Sequence, residues 1–113
     1  MNVFVSYSRR DNEQTLLEIE RLISWGTPYI DDLHHSRHGG DRHEAVEFAL
    51  RASQEFVAVL SPSYLRTPWT RWEFGWAVES GIPMVALIGN SKLVPINEEM
   101  KYRLLNDLTA LAA

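Results

Sequence analysis

The candidate for chemistry in this chain is a carboxylate, Glu73, which stands among tryptophans at Trp69, Trp72 and Trp76. A glutamate within an aromatic helix face is costly unless it is paired, hydrogen-bonded or used in a reaction. An indole wall beside a carboxylate suits a nucleoside, because the base can stack and the sugar hydroxyls can donate to the carboxylate. The alternative is a glutamate at the rim of the aromatic patch that reaches water. Because three of the four tryptophans flank Glu73, we favour a functional site.

A helix over residues 68–80 must position this carboxylate. Thr67 is a preferred N-cap residue, Pro68 suits the first helical position, and Gly81 can adopt the left-handed conformation that ends a helix. With roughly 100° of rotation per residue, several side chains fall in the same sector as Glu73. These side chains are Trp69, Trp76 and Ser80, with Trp72 and Ala77 at the edges of the sector.

Apolar strand patterns and helical stripes alternate along the rest of the chain. Strands are expected at 3–5, 28–30, 56–60 and 82–88, with a weak edge strand at 93–96. The third and fourth runs are apolar without a break, which is typical of parallel strands buried on both faces. With right-handed crossovers, this alternation predicts an α/β fold, a doubly wound parallel sheet of about four to five strands with helices on both faces.

The predicted helices between the strands have recognisable ends. A first helix carries Leu16 and ends at Gly26, a second begins at Asp41, and a last one begins after Asn97. The polar segment 31–41, between the second strand and the second of these helices, is predicted to be a loop. The apolar stripe of the last helix predicts either a cover over the sheet edge or a surface for self-association.

The length and composition predict a single globular domain, residues 1–113. The net charge is −4 and the isoelectric point is near 5.5, which argues against non-specific binding to nucleic acid or anionic membranes. The absence of cysteine excludes disulfides and thiolate chemistry. The first residues do not have the pattern of a signal peptide. We therefore expect a cytoplasmic protein with no nucleic-acid or membrane partner.

A ligand site is expected at one edge of the sheet. In open parallel α/β sheets, ligands bind outside the carboxyl ends of the strands. The segments after the first three strands, 6–11, 31–41 and 61–67, meet at this edge, and the last leads into the tryptophan-rich helix. Arg9 and Arg10 in the first segment can meet a phosphate, and the alternative is a solvated pair.

Two segments of the chain resemble a known family. Residues 3–11 (VFVSYSRRD) read as a strand followed by a loop that contains Ser-Tyr. Residues 52–69 are followed by Glu73, and Trp69 and Glu73 have W-x-x-x-E spacing. Both segments resemble boxes of the Toll/interleukin-1 receptor (TIR) domains, in which this spacing carries the glutamate of the NAD-cleaving members. The match runs in consistent order over roughly residues 2–90.

The resemblance implies a flavodoxin-like sheet and, for the catalytic members, hydrolysis of the nicotinamide–ribose bond of NAD. NAD is then a substrate, and no cofactor or metal is implied. Glu73 takes the role of catalytic carboxylate, and Trp69 flanks the nicotinamide or the ribose. The other residues of the implied NAD pocket are Tyr7, Ser8, Arg9 and Arg10. The physical chemistry agrees, since the bond breaks through an oxocarbenium-like state that a carboxylate under the ribose stabilises.

The resemblance also implies partners, either a homo-oligomer or other TIR domains, with activity that depends on self-assembly. Many family members are interaction modules without catalysis. In that case Trp69, Trp72 and Trp76 form a protein-binding patch. A second enzymatic alternative is a nucleoside deoxyribosyltransferase-like N-glycosidase, because residues 73–83 resemble its E-x-G-x-A and G-x-P element.

The histidines raise a metal hypothesis. The potential ligands are His34, His35, His38, His43, Asp31, Asp32 and Asp41. The sequence has no H-x-x-x-H helical pair and no cysteine partner, so a solvated, pH-sensitive lid is the favoured interpretation and no metal site is predicted.

Overall fold

The protein is described from a computed structural model, which covers residues 1–8, 16–34, 42–89 and 92–112. Within these ranges the strands are β1 (Asn2–Ser6), β2 (Thr27–Tyr29), β3 (Glu55–Leu60), β4 (Met84–Ile88) and β5 (Lys92–Pro95). The helices are α1 (Leu16–Leu22), α2 (Asp31–His34), α3 (Arg42–Arg51), α4 (Pro68–Ser80) and α5 (Glu98–Ala112), with a 3-10 turn at Tyr64–Arg66. None of these helices has the length and apolar character needed to cross a bilayer.

The strands form one sheet in the order β2-β1-β3-β4-β5, in which β1 to β4 run parallel. This topology confirms the predicted flavodoxin-like α/β fold. The weak edge strand, for which the sequence predicts no direction, is β5, which pairs antiparallel with β4 so that Lys92 lies opposite Ile88. A parallel neighbour needs a crossover of about a dozen residues or more, and the link between these two residues is far shorter. The chain therefore turns back on itself at this edge.

The strand order reverses at β1, which has β2 on one side and β3 on the other. A crevice for ligands opens at such a point, outside the carboxyl ends of the strands. Ser6 is the last residue of β1 and pairs in register with Ala58 of β3. The side chain of Ser6 is therefore placed at the base of the crevice.

Alternate side chains of β1 enter two separate cores. Phe4 belongs to the larger core, whereas Val3 and Val5 belong to the smaller core on the other face. Residues of α3, α4 and α5 complete the larger core: Val46, Ala49, Leu50, Phe74 and Ala77, with Met100 and Leu104 packed against them. The smaller core is completed by Ile19, Ile23 and Ile30. Helices thus cover both faces, as predicted, and each fully buried large side chain contributes roughly 1.5–3 kcal/mol.

The predicted loop at 31–41 begins instead as a short helix, α2. The carbonyl oxygen of Ile30 accepts hydrogen bonds from Leu33 N at 2.9 Å and His34 N at 2.8 Å. The His34 ring in turn accepts a hydrogen bond from Ile30 N through Nδ1, at 2.8 Å. This local pairing of side chain and backbone has no apolar period, so the hydrophobic pattern could not indicate it. Residues 35–41 lie outside the described part of the chain.

Gly26 does not end α1, which stops at Leu22. A Cβ at position 26 would lie 2.7 Å from the carbonyl oxygen of Met1 and 2.9 Å from Cγ2 of Val3. The same carbonyl accepts a hydrogen bond from Thr27 N at 2.7 Å. The glycine therefore permits the close approach of β2 to the start of β1.

The ends of α4 agree with the sequence prediction. The Thr67 side chain accepts a hydrogen bond from Thr70 N at 3.3 Å, and Pro68 occupies the first turn. Gly81 ends the helix with a left-handed φ of 73°. Asn97 likewise caps α5 through its side-chain oxygen. These local signals fix where Glu73 falls along its helix.

Two glycine substitutions in and after α4 are expected to change stability in opposite directions. A Cβ at Gly75 or at Gly81 would meet no atom within 4 Å, so the comparison isolates backbone conformation. Gly75→Ala should raise the free energy of unfolding by roughly 0.5–1 kcal/mol through helix propensity. Gly81→Ala should lower it by roughly 1 kcal/mol, because an L-residue is strained at positive φ. Urea denaturation measures both, and stabilisation by Gly81→Ala would contradict the left-handed end of α4.

Candidate active site

The carboxylate of Glu73 is buried, with 3% of the residue exposed. Ser6 Oγ donates a hydrogen bond to Glu73 Oε1 at 2.7 Å, and the Tyr64 hydroxyl donates to Ser6 Oγ at 2.9 Å. This hydrogen-bond relay, from Tyr64 through Ser6 to Glu73, joins the 3-10 turn, the end of β1 and α4. A buried charge that lacked such donors would cost several kcal/mol, so the relay stabilises the position of the carboxylate.

The outer member of this relay remains a proton donor. Burial raises the pKa of the Tyr64 hydroxyl well above its usual value, and the negative charge of Glu73 raises it further. The hydrogen bond with Ser6 acts in the opposite direction but does not outweigh burial. The hydroxyl therefore stays protonated through neutral and moderately alkaline pH. Because Tyr64 donates a hydrogen bond to Ser6 Oγ, the Ser6 hydroxyl can donate its own hydrogen bond to Glu73.

The first turn of α4 is tied to the 3-10 turn that precedes it. The Thr70 hydroxyl donates to the carbonyl oxygen of Tyr64 at 2.5 Å and also contacts the Thr67 hydroxyl. Thr70 is buried and lies three residues before Glu73 on the same helix. The helix start is thereby fixed one turn before the carboxylate.

A cavity of about 270 Å³ opens beside this carboxylate, at the carboxyl ends of β1 and β2. Four residues predicted from the sequence line it together: Tyr7, Ser8, Trp69 and Glu73. The other lining residues are Val5, Asp31, Arg42, Thr67 and Thr70. Arg9 and Arg10, which were also predicted for the pocket, lie outside the described residues. The cavity lies at the edge of the sheet where the ligand site is expected.

Asp31 and Arg42 are the charged lining residues that sequence reasoning missed. Arg42 Nη2 lies 2.5 Å from Asp31 Oδ2, and the Tyr29 hydroxyl donates to Asp31 Oδ1 at 2.9 Å. The guanidinium carbon of Arg42 is 5.8 Å from the ring centroid of Trp69. The sequence places Asp31 in the segment 31–41 at the ligand edge and among the potential metal ligands, but it does not indicate a role for Asp31 in the nucleotide pocket. Arg42 had no comparable signal, since its partners are distant in sequence.

Tyr29 supports Asp31 as a neutral donor. Burial raises the pKa of the Tyr29 hydroxyl, and its hydrogen bond to the Asp31 carboxylate raises it further. The charges of Asp31, Tyr7 and Glu73 act in the same direction. Asp31 and Glu73 both line the cavity, so a ligand there meets both carboxylates.

The aromatic enclosure predicted around Glu73 is only partly right. Glu73 shares the buried face of α4 with Thr70, Phe74 and Ala77, because this face packs on the sheet. Trp69 lines the cavity, with its ring centroid 5.3 Å from that of Trp72. Trp72 instead stacks on His43 of α3 at 4.4 Å, and Trp76 packs against the larger core. One indole therefore forms the cavity wall, and the other two connect α4 to its neighbours.

The two histidines in the described ranges, His34 and His43, have local structural contacts. His34 accepts a hydrogen bond from Ile30 N, and its Nε2 lies 2.7 Å from Glu20 Oε2. His43 stacks on Trp72. Among the residues described, no group of three or more His, Asp or Glu side chains could hold a metal ion. His35, His38 and Asp41 fall outside those ranges, as does the centre of the predicted lid.

The chemistry available in this cavity is that of a fixed carboxylate beside a flat aromatic wall. A carboxylate in such a place can accept hydrogen bonds from sugar hydroxyls and can stabilise positive charge as it develops. Ligand pockets usually span about 300–1,000 Å³. At about 270 Å³, this cavity has room for a fragment the size of a nucleoside.

Comparisons with known proteins agree with this architecture. A family model described as the TIR domain matches residues 3–111 of the chain. The chain is also similar to a protein of Staphylococcus aureus (strain MSSA476) named NAD(+) hydrolase TirS, with 31% identity over 74 residues. The aligned part is 65% of this chain and 26% of the relative, so the chain spans about a quarter of that protein's length. Because the family model covers nearly all of its sequence, the chain belongs to the TIR domain family.

Proposed function

We propose that this TIR domain hydrolyses NAD at the bond between nicotinamide and ribose, with Glu73 as the catalytic carboxylate. The observation that carries the proposal is a buried carboxylate, held by Ser6, in the wall of a nucleoside-sized cavity that also contains Trp69. Membership of a family with NAD-cleaving members supports it. The name of the staphylococcal relative, an NAD(+) hydrolase, supports it as well.

The proposed reaction needs little proton transfer. The bond between C1′ and the pyridinium nitrogen breaks, and its electron pair leaves with nicotinamide, which becomes neutral without accepting a proton. Positive charge builds on the ribose at C1′ and the ring oxygen. The Glu73 carboxylate stabilises this charge and accepts a hydrogen bond from a ribose hydroxyl. Water then adds to C1′ and releases a proton, so the products are nicotinamide, ADP-ribose and one proton.

Trp69 is proposed to bind the leaving group. The nicotinamide ring of NAD carries a positive charge, and indole is the best aromatic partner for a cation. Trp69 stands one helical turn before Glu73, so both side chains can contact the same nucleoside. Tyr7 and Ser8 complete the wall on the β1 side. Arg9 and Arg10 are proposed to contact phosphate.

The activity is also proposed to depend on self-assembly. The cavity, about 270 Å³, is small for a whole dinucleotide. In this proposal it holds the nicotinamide riboside half of NAD, and a second copy of the chain covers the half that extends outside. Assembly then shields the reacting bond and strengthens the electrostatic effect of Glu73 by excluding water.

The alternative function, a protein-interaction module, was based on an exposed patch of tryptophans. The structure gives this patch little support. Trp72 and Trp76 are half-buried and packed against the core, and Trp72 is also covered by His43. They therefore do not make the broad exposed patch that a protein-binding surface of this kind requires.

Removal of the Glu73 charge is expected to lower turnover strongly. Glu73→Gln should lower the rate of nicotinamide release from NAD by at least about a hundredfold, as expected for the loss of a group that stabilises the transition state. Glu79→Gln is the matched control, because Glu79 is an exposed glutamate on the same helix. Chromatography of nicotinamide and ADP-ribose measures the rate.

This experiment also separates the alternatives. An equal loss in both variants, or no turnover by concentrated wild-type protein, would contradict the role of Glu73 in NAD hydrolysis. Release of a base from a deoxynucleotide, with none from NAD, would support the deoxyribosyltransferase-like alternative.

The hydrogen-bond relay is expected to affect the rate in a graded manner. Ser6→Ala should lower kcat by roughly ten- to hundredfold, because hydrogen bonds to charged groups contribute about 1.5–3 kcal/mol. Tyr64→Phe removes only the outer, neutral donor and should lower kcat by about two- to tenfold. Thermal unfolding of both variants controls for loss of fold. Wild-type kcat in a folded Ser6→Ala protein would show that the relay does not serve the reaction.

Self-assembly is expected to appear as a concentration dependence of the specific activity. The rate per molecule of NAD cleavage should rise steeply with protein concentration and follow the fraction of oligomer measured by light scattering. A constant rate per molecule across the transition from monomer to oligomer would contradict the proposed dependence.

A further inference from the structure

The cavity beside Glu73 contains two carboxylates, Glu73 and Asp31, and a guanidinium, that of Arg42. Among the described residues that line it, Arg42 alone carries a positive charge. An anionic nucleotide that enters this cavity meets unfavourable charge from both carboxylates. It needs a cation at the position where its phosphate comes to rest.

The position of Arg42 suits this task. Its side chain is 38% exposed, whereas that of its partner Asp31 is 8% exposed, so Arg42 is the more solvent-exposed member of the ion pair. The guanidinium is also 5.8 Å from the ring of Trp69, the proposed wall for the nicotinamide. Arg42 therefore lines the cavity close to the proposed nicotinamide wall and is partly open to solvent.

The Arg42 side chain is held in place before any ligand arrives. Asp31 fixes the guanidinium through Nη2, and Tyr29 fixes the Asp31 carboxylate from β2. A guanidinium has five N–H donors in a planar fork, so it can bind an anion while it keeps an ion pair. Because the donors are already oriented, less conformational entropy is lost on binding.

We propose that Arg42 binds the 5′-phosphate of the nucleotide whose ribose contacts Glu73, and that it selects phosphorylated substrates over nucleosides. The inference rests on the proposed function, because it assigns the phosphate contact of the same cavity. It adds Arg42, at the start of α3, to the phosphate contacts proposed for Arg9 and Arg10. The charge and planar shape of the arginine match two phosphate oxygens, which a lysine would contact only as a point charge.

A matched pair of ligands tests this contact directly. Nicotinamide mononucleotide carries the 5′-phosphate, and nicotinamide riboside lacks only that group. Isothermal titration calorimetry on the Glu73→Gln protein measures the binding of both without turnover. The mononucleotide should bind at least about tenfold more tightly, as expected for a charge-assisted bidentate hydrogen bond.

The decisive test compares the binding of the two ligands in variants of Arg42. In the Glu73→Gln background, Arg42→Gln should lower the preference for the mononucleotide over the riboside by about tenfold or more. Arg42→Lys should retain part of the preference. Arg51→Gln is the control for net charge, because Arg51 is an exposed arginine at the other end of α3 with its side chain 70% exposed.

The outcomes separate this inference from the proposed reaction. An Arg42-dependent preference for the mononucleotide, in a wild-type protein that releases no nicotinamide, would leave the phosphate contact standing and overturn NAD hydrolysis. NAD hydrolysis with equal losses for both ligands in Arg42→Gln would overturn the phosphate contact alone. Failure of both ligands to bind at millimolar concentration would also overturn it.

Discussion

The hydrogen bond from Ser6 to the buried carboxylate of Glu73 is the contact on which the site depends. It joins the last residue of β1 to the second turn of α4, across 67 positions of sequence. A carboxylate in the interior would destabilise the fold by several kcal/mol without donors of this kind. The relay that continues to Tyr64 places a second hydroxyl behind the first. The fold therefore holds this carboxylate in the wall of the cavity through hydrogen bonds from residues distant in sequence.

The fold serves this arrangement through a few local features. The strand order reverses at β1, which brings the ends of β1 and β2 together at the cavity. The Thr67 cap and the contacts of Thr70 fix the start of α4 one turn before Glu73. The larger core then anchors the same helix through Phe74 and Ala77. Glu73 lies on the same buried face of α4 as Phe74 and Ala77, so the packing of these two side chains holds the carboxylate in place.

Local signals made the main parts of this arrangement predictable from the sequence. Caps, proline and glycine mark the ends of α4, and unbroken apolar runs mark the central strands, because both depend on neighbours along the chain. The positions of Glu73 and Trp69 in the cavity followed from those ends. The antiparallel direction of the edge strand β5 was harder to predict from the sequence, because it depends on the length of a connection rather than on the side chains of the strand.

Contacts between distant residues account for what the sequence did not indicate. The pairing of Arg42 with Asp31 depends on where α3 starts relative to the end of β2, which no periodic pattern encodes. The buried face of α4 also differs from the prediction. Phe74 and Ala77 are buried in the larger core, whereas Trp72 and Trp76 are only partly buried against it. The role of Tyr64 could not be predicted from the sequence, because its hydroxyl contacts Ser6 only when the fold brings β1 and the 3-10 turn together. In each case a tertiary contact, rather than a local preference, decides the role of the residue.

The central claim is that the Glu73 carboxylate faces the ribose of a bound nicotinamide nucleotide. A crystal structure of the Glu73→Gln protein soaked with NAD tests it most directly. The account predicts the nicotinamide ring against Trp69 and a ribose hydroxyl within hydrogen-bond distance of the residue 73 side chain. A dinucleotide bound with its nicotinamide ribose away from this cavity would contradict it.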